Sequence, residues 1–197
     1  MNIRFAAAAL LVAVSASPAF AHLDPAEHGS FAAGFTHPVF GLDHVLAMIA
    51  VGLWAALAGG RAIWLLPTVF VGAMLTGFGL SLAGVPIPYV EPVILASVII
   101  LGLIVAAAVD LPSWLSVALV AVFGMCHGHA HGGEMGDAGW LGYAAGFALA
   151  TAILHAAGVL IGHGANEAAG RDGPVAKTII RAIGAITAAG GVLLVVS

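Results

Sequence analysis

The sequence predicts an all-α membrane protein: a cleaved N-terminal signal peptide followed by a six-helix transmembrane bundle. Three observations lead there. Of 197 residues, 62% are hydrophobic and only 7% are charged, a balance no soluble domain of this size needs. Apolar stretches near the ~20 residues that cross a bilayer recur with short polar breaks between them. The first 21 residues carry an early Arg4, an apolar run and the small-x-small ending Ala19-Phe20-Ala21, the form of a secretory leader cut before His22.

Taken in order, the leader over 1–21 is short for a span and Pro18 interrupts its far end; an uncleaved first helix is the alternative. One transmembrane domain is then expected over 22–197, with helices at about 38–58, 63–83, 91–109, 112–128, 139–162 and 176–196. The first opens at Pro38, proline being favoured at the first helical position. The second follows "GGR" at 59–61, and its internal Pro67 is tolerated where neighbouring helices supply hydrogen bonds. The third opens at Glu91-Pro92 after "GVPIPYV", and the fourth follows "DLPS" and runs into "FGMCHGHAHGGE" at 123–134. The fifth and sixth flank "GHGANEAAGRDGPV" at 162–175. Small residues four apart, such as Gly72/Thr76, Gly77/Ser81, Gly158/Gly162 and Gly184/Ala188, suit close helix contacts.

Charge gives the orientation. With residue 22 outside, the inside loops and their flanks hold Arg61, Arg171, Lys177 and Arg181, every basic residue beyond the leader. The positive-inside rule therefore places the chain in a bacterial inner membrane with the mature N-terminus periplasmic. Asp24, Glu27, Asp43, Glu91, Glu134 and Asp137 fall on or near the outer face, where an acidic, histidine-bearing entrance suits a divalent cation. Five basic residues and a net charge of -4 speak against a nucleic-acid partner. The single Cys126 excludes an internal disulfide and any cysteine-based zinc or iron–sulfur centre. Without a nucleotide-binding motif, any ATP coupling needs another protein.

Two constellations carry metal chemistry. In "THPVFGLDHVLAM", His37, Gly41, His44 and Met48 share one face if the first span is continuous, and Asp43 lies at its edge as a ligand or a partner that fixes a tautomer. In "FGMCHGHAHGGE", His127, His131 and Glu134 line up if the fourth span stays helical to its end, while His129 points elsewhere. Glu91 stands at the same membrane surface as both sets. Ionisable groups in membrane spans are functional candidates by default. Weaker candidates are His22 and His28 in the mature N-terminus, a capture site or a solvated tail, and His155 and His163, an exit relay or packing residues. Imidazole and carboxylate donors favour Ni²⁺ over Mg²⁺ or Ca²⁺ but do not by themselves exclude Co²⁺, Zn²⁺ or Cu²⁺.

"HPVFGLDHVLAM" resembles the HP-x-x-G-x-DH-x-L-x-M motif of the HupE/UreJ family, and "FGMCHGHAHGGE" its F-x-x-x-HG-x-AHG-x-E motif. The leader and six spans agree, so the resemblance covers essentially the whole chain. It implies a permease for nickel, with cobalt as a second ion, and no enzymatic cofactor. The metal would pass to the maturation proteins of a hydrogenase or urease. Carried over to this sequence, the first motif marks His37, Asp43 and His44, and the second marks His127, His131 and Glu134. His129 fills a variable position, and Glu91 rests on the physical argument alone. The alternatives are a membrane metal sensor or chaperone that binds without transport, and an intramembrane metalloenzyme with Glu134 as base. The second lacks the H-E-x-x-H arrangement.

Overall fold

The computed structural model describes residues 25–134, 139–168 and 174–196. The expected leader and His22 lie outside the described residues, as do Asp137 and Arg171. Among the described residues seven helices follow one another: α1 (Pro25–Phe40), α2 (Leu42–Ala58), α3 (Ala62–Leu82), α4 (Val90–Ala107), α5 (Ser113–Glu134), α6 (Trp140–Ala168) and α7 (Pro174–Val196). No strand occurs among the described residues. α3 to α7 are each long and apolar enough to cross a membrane, and the bent pair α1–α2 makes a sixth crossing if counted as one span. The chain is thus a multi-pass helical membrane protein. In lipid such helices satisfy their backbone groups internally.

The expected continuous first span needs correction. α1 and α2 meet at 78°, and the break is one residue wide. Gly41 takes an extended conformation (φ −78°, ψ 111°) with no side-chain cap. Its amide still bonds the His37 carbonyl at 3.2 Å, and its carbonyl accepts the Val45 amide at 2.9 Å. Pro38 accordingly sits in the last turn of α1 rather than at the start of a span, and His37 closes one helix while His44 opens the next.

α2 forms the axis of the bundle. From Ala47 to Ala56 nearly every side chain is buried, most of them small or apolar, as expected of a helix enclosed on all sides. It touches α1, α3, α4, α6 and α7, and it carries His44 into the interior.

Glycine seams set the other helices. On α5, Gly124, Gly128 and Gly132 recur every fourth residue and press against the α3 backbone at Phe70, Met74 and Phe78; a Cβ on Gly128 would collide with the Met74 carbonyl. α2 and α6 approach similarly at Gly52 and Gly158, and α4 and α7 at Gly102 and Gly184. Gly72, by contrast, faces open space, so its pairing with Thr76 is a hydrogen bond within α3 and not a helix contact. Exposed Trp64, Trp114, Trp140 and Tyr89 stand near helix ends, where aromatic side chains favour the membrane–water boundary.

Candidate metal centre

The α5 seam also aims the histidines. His127 and His131 each precede a seam glycine by one residue, about 100° around the helix, so while Gly128 and Gly132 face α3 the imidazoles turn toward α2 and α6. The helix continues through the motif to Glu134, past the expected end at 128. The glycines that would weaken an isolated helix here are held by the contact they permit.

Two groups of donors result. His44, His127 and His131 offer ring nitrogens within 4.8 Å of one another, and His37, His131 and Glu134 offer donors within the same limit. His131 belongs to both. The outer group is partly open: the His37 side chain is 23% exposed and that of Glu134 49%. The inner group is buried, with His44 and His127 essentially sealed from solvent.

Hydrogen bonds fix the direction in which each ring presents its lone pair. The Ser97 hydroxyl donates to the Ile94 carbonyl at 2.6 Å, so its oxygen accepts from His127 Nε2–H at 3.1 Å. The Thr151 hydroxyl donates to Met74 Sδ at 3.5 Å, so it accepts from His44 Nε2–H at 3.3 Å. With both rings in that tautomer their lone pairs are on Nδ1, and these two nitrogens face each other at 3.2 Å, a distance at which one imidazole donates to the other when either Nδ1 is protonated and at which both take one ion when neither is. Two unprotonated nitrogens at that distance repel unless a cation lies between them. Ligand nitrogens about 2.1 Å from one ion stand roughly 3.0–3.4 Å apart in octahedral or tetrahedral geometry, so the 3.2 Å contact lets both rings bind one ion with little movement once each presents a bare Nδ1.

The third donor is consistent. His131 Nδ1–H donates to Glu134 Oε2 at 2.9 Å, which leaves its lone pair on Nε2, a buried atom with no partner. An unsatisfied buried polar atom costs about 1–3 kcal/mol, and a cation held with His44 and His127 would recover that cost. The same carboxylate oxygen accepts from His37 Nε2 at 3.0 Å. Hydroxyl or carboxylate partners that fix a ligand histidine's tautomer are the usual second layer of a metal site.

Aromatic rings wall the pair of clusters. Phe147 contacts both His44 and His131 at centroid distances of 5.2 and 4.8 Å, Phe70 lies 5.7 Å from His127, and Tyr143 lies 6.2 Å from His37. Apolar walls leave the nitrogens as the strongest available partners for an ion inside.

The structure therefore brings together His37, His44, His127, His131 and Glu134. It places the remaining candidates elsewhere. Asp43 is half-buried in the first turn of α2, its carboxylate against Gly41 at the bend. Glu91 is exposed in the first turn of α4, outside both donor groups. His129 donates Nε2–H to the Val85 carbonyl at 2.8 Å, tying α5 to the loop before α4. His163 is exposed toward the far end of α6, and His155 is buried in its middle. His28 lies in α1 but outside the residues whose side chains are described. Ser97 and Thr151 went unselected in the sequence. Each is the lone serine or threonine of an apolar span, and Thr151 stands one turn before His155 on the same face; that pattern is the available signal.

A family model described as HupE / UreJ protein matches residues 10–194. A curated relative named Protein HupE, from Rhizobium leguminosarum bv. viciae, is 40% identical over 186 residues, covering 93% of this chain and 95% of the relative. No solved structure matches.

Proposed function

The chain belongs to the HupE/UreJ family, a transporter family and not an enzyme family, and on that premise we propose an inner-membrane permease that admits Ni²⁺, with Co²⁺ as a second substrate. The observation that carries this reading is the sharing of His131 between a half-open and a sealed donor group. A site that only stored an ion would need one closed set of ligands. Here an ion captured by His37 and Glu134 meets, one side chain further, the lone pairs of His44 and His127.

In this reading the mature N-terminus is periplasmic, residues 1–21 are a cleaved leader, and the acidic end with Asp43, Glu91 and Glu134 faces outward. The opposite end carries Arg61, Lys177 and Arg181, as the positive-inside rule requires of a cytoplasmic surface. Asp43 and Glu91 add negative field around the mouth, which raises the local cation concentration without requiring contact. Imidazole nitrogen with one carboxylate selects borderline divalent ions over Mg²⁺ and Ca²⁺. Released metal would serve the maturation of a nickel enzyme.

The test is flux. The full chain, reconstituted in vesicles with an imposed Ni²⁺ gradient and an enclosed metal dye, is expected to carry Ni²⁺ faster than protein-free vesicles. Tight binding with flux no higher than the empty control would overturn the permease and favour a sensor or chaperone. Parallel runs with Co²⁺ and Zn²⁺ measure selectivity.

A further inference from the structure

The histidines of the two clusters each have at least one hydrogen-bond partner, and so does His129. His155 has none at either ring nitrogen, although it is only 1% exposed. Buried polar groups are nearly always paired, so an imidazole held in the bundle with both nitrogens idle needs an explanation. Its location supplies one. His155 follows Thr151 by one turn of α6, and Thr151 is the residue that holds His44. It is therefore the next nitrogen donor along the bundle beyond the sealed cluster.

Phe70 stands between the two. Its ring lies 5.7 Å from His127 and 5.2 Å from His155, the latter edge to face at 80°. The α3 backbone at Phe70 is fixed against Gly124, so movement there falls to the side chain. Beyond Phe70 an apolar groove of about 650 Å³ runs between α3 and α6, with His155, Thr68, Pro67 and Ile63 in its wall and the exposed side chains of Leu75 and Leu160 at its rim. Pro67 has no amide hydrogen, so the Ile63 carbonyl lacks its usual donor one turn on. The unpaired imidazole of His155 is thus buried at the back of this groove, with the Thr68 hydroxyl and the Ile63 carbonyl on the α3 side toward Arg61.

We infer that His155 is a second, inward station for a divalent cation, separated from the three-histidine cluster by the Phe70 ring. An ion leaving His44 and His127 passes when that ring swings aside and binds a free nitrogen of His155 on its way to the Arg61 end of the bundle. This rests on the permease reading and extends it past the entrance.

The experiment uses the full chain in vesicles and in detergent. In His155→Phe, which fills the space without a donor, Ni²⁺ flux is expected to fall roughly tenfold or more, while Ni²⁺ affinity at the two clusters, read as the tight phase of an equilibrium titration, stays within about twofold of wild type because their donors are intact. Flux within twofold of wild type overturns the inference and leaves the permease standing; a wild type without flux overturns both. A second variant guards against a folding defect. In folded His155→Cys, added Co²⁺ should produce a thiolate-to-cobalt charge-transfer band that wild type, with Cys126 alone, does not show. Absence of that band also overturns the assignment.

Discussion

The two donor groups use the same imidazole chemistry at different depths, and their surroundings differ accordingly. The outer one, His37, His131 and Glu134, includes a formal negative charge and is reachable from solvent. The inner one, His44, His127 and His131, has no carboxylate and is braced by the hydroxyls of Ser97 and Thr151. A carboxylate draws a hydrated cation from a distance, whereas hydroxyls give no net charge and serve to orient. In the proposed permease, capture and coordination thus fall to different atoms. An ion that bound carboxylate deep in the bundle would be harder to release in low dielectric, so the neutral inner set is the one suited to passing it on.

Three substitutions test that division. His127→Ala removes an inner donor and leaves the outer group whole. Flux in vesicles should fall by roughly 100-fold with one Ni²⁺ still bound in an equilibrium titration; loss of all binding would show that the groups are one site. Glu134→Gln keeps the size of the side chain and removes its charge. The half-saturating Ni²⁺ concentration should rise about tenfold with a smaller change in maximal rate, and the reverse split would place Glu134 in transfer instead of capture. Ser97→Ala frees the tautomer of His127 without touching a ligand. Flux should drop by only about threefold, less than the usual cost of a partner to a ligand, and a wild-type rate would mean that Ser97 merely packs.

The helices were largely legible because apolar runs of bilayer length admit few readings, and so were the histidines, because costly polar groups in such runs stand out. The bend at Gly41 was not. A single glycine within an apolar helix is compatible with continuation, and "HP" reads equally as the start of a helix or as its last turn. A continuous helix placed His37 on the His44 face, whereas the bend lets it bond Glu134 at the end of α5. The bracing hydroxyls were hidden for another reason. Ser97 and Thr151 reach histidines 30 and 107 residues away along the chain, contacts that only the packing of four helices creates. Glu91 and Asp43 show the converse: proximity to a membrane face did not bring them into the donor groups.

His131 has one consequence beyond its position. A neutral imidazole has a single lone pair, and in this structure the Nδ1 proton points to Glu134 while the free pair is on Nε2. The ring cannot complete both donor groups at once without losing that proton. The two groups therefore compete for one electron pair, and in the permease proposed above the mouth of the bundle would work as a turnstile: a following ion would wait until the one ahead had released His131.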